Sequence, residues 1–398
     1  MKRFHQHLIP DDWQIKRVGK MTRTVAGGTP NTSIDEYWGG DIPWMSSGEL
    51  NLRRVDNVRG RITAKGLKHS STSLIPAGCV LVGLAGQGKT RGTVALNTIE
   101  LCTNQSIAAI YPSNDFLSDY LFYNLDLRYG ELRQLSTGDG GRGGLNLSIL
   151  NSLSVPLPPV EEQRAIARVL GTMDELISKT SRLIAQKELR KKWLMQNLLT
   201  TKKRVKGFRK KWKTYPFRDL AAESVFRNGG KMLNDRLMAV SKVHGMIPMR
   251  ERVQGESNHR CKVVRRNYFA YNPMRLNIGS LARWDDNEPA MVSGDYVVFK
   301  CEEERLDPRF FDFYRSTNEW ANYVRRAGDG SVRVRIYFSH LAPFKITLPL
   351  IEEQKAIANI LDIATCEIAM LETKSELLKM QKKWLMQQLL TGKKRLSV

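Results

Sequence analysis

The sequence predicts an α+β protein made of one unit written twice. Each unit is a globular domain of mixed strand and helix with a long helix after it, and the two long helices pack on each other as a coiled coil. Three observations carry this expectation. Two blocks return at one offset, the stretches they bound lack helix breakers for roughly 40 residues, and the regions before them alternate β-like runs with polar turns.

The repeat comes first, because it sets the frame for everything else. "LPPVEEQRAIARVL" at 157–170 returns as "LPLIEEQKAIANIL" at 348–361, and "KKWLMQNLLTTKKR" at 191–204 returns as "KKWLMQQLLTGKKR" at 382–395, 191 positions later in both cases. A period this long is a duplicated unit rather than a solenoid repeat. It divides the chain into 1–156, 157–204, 205–347 and 348–398. Within 161–199 the only glycine is Gly171, and 352–391 holds neither glycine nor proline. Apolar residues recur at three- and four-residue steps, and the Glu-Glu-Gln after each proline suits a first helical turn, where the dipole favours acids. Each copy therefore reads as a helix of about 60 Å. A lone helix cannot bury such a stripe, so the copies pack on each other. The K-K-W-L-M-Q ends have two readings. Trp193, Met195, Trp384 and Met386 either brace the helices or form a partner-docking surface, since a Trp flanked by Lys and Met suits an interface anchor.

In the first variable region "CVLVGLAG", "GTVAL" and "SIAAIYP" are strand-like, and in the second "YVVFK" and "FKITLPL" are. "SDYLFYNLDL" and "PRFFDFYRSTNEWANYV" read as amphipathic helices in matching places. Both regions then reach a Gly-Asp-Gly turn with arginine after it, Arg142 in one and Arg333 and Arg335 in the other. One fold with two divergent surfaces is the simplest reading.

The net charge of +23 makes a polyanion the first partner to consider. Nucleic acid leads, because clustered Lys and Arg release counterions from phosphates, although ribosome-binding and membrane-surface proteins share such charge. From Lys187 to Lys213 twelve basic residues stand against one acid, Glu188. No apolar run approaches a membrane span, and the start lacks a secretory pattern. Five scattered cysteines and six histidines without ligand spacing predict reduced thiols, a cytoplasmic setting and no metal site.

"GLAGQGKT", Gly83 to Thr90, matches the phosphate-binding pattern G-x-x-x-x-G-K-[ST]. A working P-loop needs a helix after it, whose N-terminal amides hold the phosphates. Here the next residues are "RGTVALNTI", where Gly92 and the β-branched Thr93, Val94 and Thr98 predict a second strand. The stretch is expected to be a hairpin tip, and a P-loop enzyme is the disfavoured alternative. A glycine-rich tip still allows close backbone approach, and Gln87, Lys89 and Arg91 carry donors that pair with adenine or guanine edges in the major groove. The plainer reading is a solvated loop. "YNPMR", Tyr271 to Arg275, resembles the Asn-Pro-Pro-aromatic loop of amino-methyltransferases but lacks the second proline and the aromatic, and no glycine-rich cofactor loop accompanies it. No methyl-donor site is expected in this chain.

Together these stretches resemble the specificity (S) subunit of type I restriction–modification systems along the full length. The matching residues are "GGTPNTSIDEYWGGDIPWMSSGEL" at 27–50, "GLAGQGKTRG", "ELCTNQS" at 100–106, "STGDGGRGGLNLSIL" at 136–150, "YNPMRLNIGS", "GDYVVFK" and the four repeated blocks. The resemblance implies two target-recognition domains held apart by an antiparallel helix pair with a pseudo-twofold, each reading half of an asymmetric, interrupted DNA site. It implies a non-catalytic chain, partnered by two copies of a modification (methyltransferase) subunit and by a restriction/translocase subunit. S-adenosylmethionine, ATP and magnesium are then expected on those partners. A helix pair of about 60 Å matches a half-site separation of one to two duplex turns. Candidate DNA contacts are Gln87, Lys89, Thr90, Arg91, Asn104, Gln105 and Arg142 in the first domain, and Asn272, Arg275, Asn277, Arg333 and Arg335 in the second. A DNA-binding scaffold that works without a methyltransferase is the remaining alternative.

Overall fold

The computed structural model describes every residue except 1, 5–6, 87, 89, 136–143, 251–256, 328–333 and 397–398, and only the backbone of residues 2–4 and 7. The chain falls into two compact units, Met1–Ser181 with Thr373–Val398, and Arg182–Glu372. Each unit holds one of the expected globular domains together with part of both long helices. The unit boundaries therefore cut the helices rather than preceding them, because each helix joins one globular core near its start and the other near its end.

In the first unit a sheet runs in the spatial order Thr24–Ala26, Ile107–Ile110, Val80–Gly83, Val94–Asn97, Arg54–Val55. Its three central strands are buried at every position. Alternation explains how one sheet serves two cores. Val80, Val82, Val94, Leu96, Ala108 and Ile110 join a core with the helix Ser118–Leu127 and with Ile166 and Leu170 of the first long helix. Leu81, Ala95, Ile107 and Ala109 face the other way, onto Met45, Leu50, Val55 and Ile75. A second sheet places Trp38–Met45 between Cys102–Thr103 and Gly60–Ile62. Full burial of Ile166 and Leu170 contributes about 1.5–3 kcal/mol each.

The second unit repeats this plan with other residues. Ala221–Glu223, Val297–Cys301, Phe269–Tyr271 and Leu281–Arg283 form the antiparallel sheet, in the same order of chain segments. Phe269, Tyr271, Val297 and Phe299 meet the helical layer, while Ala270, Ala282 and Val298 face Met238, Val240 and Val292. In each unit the second sheet contains a parallel pair whose later strand immediately precedes the last strand of the first sheet: Trp38–Met45 with Cys102–Thr103, and Leu237–Ser241 with Ala290–Val292. The expected helix over "PRFFDFYRSTNEWANYV" is two helices, Pro308–Tyr314 and Asn318–Arg326. The break falls where Thr317 turns extended and its hydroxyl accepts from the Trp320 amide as an N-cap.

The long helices span Val160–Leu198 and Ile351–Leu389, 39 residues each, or about 58 Å. Their pairing is antiparallel within each unit. In the first unit Arg395 meets Glu162 at 2.6 Å and Lys382 meets Asp174 at 2.5 Å. In the second, Arg204 meets Glu353 at 2.6 Å and Lys187 meets Glu367 at 2.7 Å. None of the helices is long and apolar enough to cross a membrane, among the described residues.

The Glu-Glu-Gln segments do more than favour a helix dipole. Glu162, Gln163, Glu353 and Gln354 are almost fully buried. Gln163 accepts from the Leu117 amide and donates to the Pro158 carbonyl; Gln354 accepts from the Asp307 amide and donates to the Pro349 and Arg305 carbonyls. Each glutamine thus pins the start of a long helix to the loop before the domain's own helices. Each buried glutamate is met by the arginine closing the other repeat, and Asp12 and Trp13 complete the cluster around Arg395. Hydrogen bonds to Glu162 and then Asp12 hold the Arg395 guanidinium above its ordinary pKa, and Glu353 does the same for Arg204.

Candidate nucleic-acid interface

The phosphate-loop match resolves at the backbone. Val80–Gly83 pairs antiparallel with Val94–Asn97, so a strand comes after the glycine-rich stretch. The tip closes through hydrogen bonds from Gly92 N to the Gly83 carbonyl and from Thr93 N to the Thr90 carbonyl. Gly86 and Gly92 take φ of +116° and +78°, in the left-handed half of conformational space that side chains disfavour. Among the described residues of this stretch no helix N-terminus, the usual phosphate cradle, occurs.

Around this tip the structure gathers segments far apart in sequence. Leu84 N donates to the Ser106 carbonyl, and Leu145 N donates to the Leu84 carbonyl. Gly28 N donates to the Thr103 carbonyl, and the Thr29 hydroxyl donates to Gln105 Oε1 at 2.5 Å. The Trp44 indole donates to the Gly28 carbonyl. A Cβ on Gly27 would lie 2.1 Å from the Thr103 carbonyl oxygen and one on Gly28 2.2 Å from Ser71 Oγ, so the glycine pair is a packing requirement. The described stretches at 27–30, 84–86, 90–93, 104–106 and 144–146 thus meet at one end of the sheet.

Of the candidate contacts in the first domain, Gln105 is exposed there. Thr90 and Arg91 are half-buried at the base of the tip. Asn104 is half-buried as well, and its side chain caps a turn by accepting from Ser106 N while its backbone bonds Met45 and Ile107. That turn accounts for Asn104 without a ligand. Gln87, Lys89 and Arg142 lie outside the described residues.

The second domain puts a different sequence in the same topological place. Residues 272–280 join Phe269–Tyr271 to Leu281–Arg283, just as 84–93 join their two strands. Asn272 Oδ1 accepts from Met274 N, so Asn272 builds its own turn, and Gly279 at φ +90° ends the short helix Leu276–Ile278. Ile336 N donates to the Pro273 carbonyl, the counterpart of the bond from Leu145 to Leu84. This places Arg335, exposed, next to the segment carrying Arg275 and Asn277, both exposed. Arg333 lies outside the described residues. A cleft of about 230 Å³ beside Asn277 is lined by Lys242, Arg315 and Arg325, three cations on one side of this tip.

Sequence reasoning missed Arg133. Its Nη1 donates to the Gly88 carbonyl at 2.7 Å and to Tyr129 Oη at 3.0 Å. The helical spacing of Tyr129 and Arg133 is the single local signal, and nothing in sequence points it at a tip 45 residues away.

The K-K-W-L-M-Q ends separate into two faces. Met386 is 6% exposed and belongs to the core with Ile166, Leu170 and Leu389, which corrects its assignment to a docking surface; Met195 is half-buried against the second core. Lys382 is buried over the Tyr123 ring and Lys191 lies over Phe313, each on a helix of its own unit's globular domain. Burial pulls both lysines below their ordinary pKa, and Asp174 opposes this for Lys382. Residues two apart on a helix point about 200° apart, so Lys and Met face inward and the tryptophan between them faces out. Trp193 and Trp384 are 48% and 46% exposed, with Lys203 and Lys394 over their rings at 4.6 and 4.8 Å. Exposed Leu189 and Met380 stand one turn before them, at equivalent positions of the repeat.

Among the described residues no group of three or more His, Cys, Asp or Glu side chains is placed to hold a metal ion. All five cysteines are free thiols and four are buried. Burial pushes the Cys79 thiol up to about 12 and the Cys102 thiol up to about 11.

Residues 10–188 match the family described as Type I restriction modification DNA specificity domain. The chain is 35% identical over 196 residues to the Type I restriction enzyme MjaIX specificity subunit of Methanocaldococcus jannaschii, an alignment covering 47% of this chain and spanning about half, 45%, of that relative. It is 25% identical over 422 residues to the MjaVIII specificity subunit of the same organism, covering 98% of this chain and 95% of the other. In fold it is similar to the crystal structure of a type I restriction–modification system S subunit from M. genitalium, with a TM-score of 0.61, 12% identity and 98% coverage of both chains. Residues 10–188 thus carry a match to the type I specificity domain, and the chain as a whole is similar, end to end in sequence and in fold, to type I restriction–modification specificity subunits.

Proposed function

We propose that this chain is the non-catalytic, DNA-reading subunit of a type I complex, that its two domains read the two halves of an asymmetric interrupted site, and that it carries two docking positions for methyltransferase subunits. One observation carries the reading. Two domains of one topology present hairpin tips of unrelated sequence in the same place, "GLAGQGKTRG" and "NPMRLNIGS". Shared scaffolds with different tips suit recognition of two different base sequences, since side chains at base edges carry the specificity. The charge of +23 supports a DNA partner.

The docking half of the proposal rests on the outward tryptophans. Equivalent exposed pairs, Leu189 with Trp193 and Met380 with Trp384, suit two copies of one partner. A DNA-binding scaffold acting alone leaves these repeated apolar pairs without a purpose. The methyl donor, ATP and magnesium then belong to the partners, and a restriction/translocase subunit completes the assembly in the cytoplasm.

The test is to express the chain with its native neighbouring subunits and map methylated adenines in host DNA by sequencing. A single split motif with a modified adenine in each half is the expected result. A stable complex with no motif above background would overturn DNA reading, and failure to co-purify with a methyltransferase would overturn docking.

A further inference from the structure

We infer that Arg133 is a positioning residue for sequence reading in the first domain: its guanidinium, fixed on Tyr129, holds the hairpin tip through the Gly88 carbonyl. This inference rests on the DNA-reading function proposed above. Gly88 is the residue between Gln87 and Lys89 in the chain. A glycine-rich tip is a poor platform for base discrimination, because each residue that moves freely must be ordered on binding. Something outside the tip has to hold it.

Two independent contacts supply that hold. The first is the hydrogen bond from Arg133 Nη1 to the Gly88 carbonyl, 2.7 Å, at the far end of the tip. The second is packing at the near end. A Cβ placed on Gly92 would lie 3.3 Å from Arg133 Cγ, 3.3 Å from Leu132 Cβ and 3.4 Å from the Tyr129 carbonyl, so the returning leg of the hairpin rests on this helical turn. Arg133 is itself fixed: Nη1 also donates to Tyr129 Oη at 3.0 Å and the guanidinium lies 5.6 Å from the ring centroid. The helix that carries it, Tyr129–Leu135, buries Leu132 in the main core. A rigid element therefore reaches the tip through a planar cation that has few ways to rearrange. Among the described residues, nothing lies within 4 Å of a Cβ placed on Gly88.

The experiment uses the co-expressed complex and compares wild type with Arg133→Ala, Arg133→Lys and Tyr129→Phe. The readout is the methylation motif in host DNA, scored as discrimination at each position of each half, with the melting temperature recorded alongside. The expected result is about tenfold weaker discrimination in one half only for Arg133→Ala, about 1.4 kcal/mol. Tyr129→Phe should shift the same positions by less, and Arg133→Lys should lie between. Unchanged motifs in all three variants would overturn the inference. So would an equal loss in both halves accompanied by a lower melting temperature, which is the mark of a merely structural residue. Uniformly weaker methylation with the motif intact would make Arg133 a phosphate contact and overturn it too. A wild-type complex that shows no motif fails the DNA-reading function itself, and this inference with it.

Discussion

Glu353 and Glu162 are 1% exposed carboxylates, each with an arginine as its ionic partner. Removing one side of a buried pair costs more than the pair contributes, because the stranded charge stays desolvated. Arg204→Ala should therefore destabilise the second unit by about 3 kcal/mol, whereas Arg204→Met with Glu353→Leu should lose much less. Urea midpoints of the two variants check this; equal losses would show that the carboxylate finds water. The cysteines make a second prediction about single side chains. Cys79, Cys102, Cys261 and Cys301 are buried, with thiol pKa values raised by burial, and only Cys366 is exposed. The thiolate is the reactive form, so mass spectrometry after brief alkylation of the native protein at pH 8 should find a single adduct, on Cys366. Rapid labelling of Cys102 would contradict its packing beside Thr72 and Trp44.

Among the elements, the first long helix carries one avoidable defect. Gly171 sits in its interior, and a Cβ there would meet only Tyr123 Oη at 3.8 Å, an ordinary contact. Gly171→Ala should stabilise the protein by about 0.5–1 kcal/mol, read as a higher urea midpoint; a loss would mean that Tyr123 and its bond to Asp174 are displaced. Both long helices are 39 residues. If their length sets the interval between the half-sites, four residues inserted in each, about 6 Å, should lengthen the accepted gap by about one to two base pairs. Methylome sequencing of the insertion variant gives the answer, and an unaltered gap would sink the idea. The repeated helix ends are only half legible in the sequence. "KKWLMQ" returns 191 positions later, but identity cannot say that Lys382 and Met386 turn inward while Trp384 turns out. That assignment depends on which helical face meets Tyr123 and the core.

For the whole molecule, charge sets the behaviour toward DNA. A chain of net charge +23 that engages 6–10 phosphates should lose about 10³–10⁵ in affinity for random duplex between 50 and 200 mM salt. Fluorescence anisotropy across that range measures the slope, and a shallow one would confine the basic residues to a solvated surface. By itself the amino-acid order already specifies the duplication, the length of the two helices, the buried strands and the false phosphate loop. These are local or periodic properties: a stripe every three or four residues, an absence of glycine and proline, β-branched residues where a helix would have to start. Which of the candidate residues stand together is settled by three-dimensional packing. It brings residues 27–30, 84–86, 90–93, 104–106 and 144–146 to one end of a sheet and makes Asn104 and Asn272 turn formers. It buries Met386, and it turns the second glutamate of each Glu-Glu-Gln toward the arginine that closes the other repeat. The reason is physical: whether a polar side chain contacts a ligand or satisfies its own backbone depends on which partners lie within hydrogen-bonding reach, and for the buried glutamates and the hairpin tip those partners are dozens to hundreds of residues away along the chain.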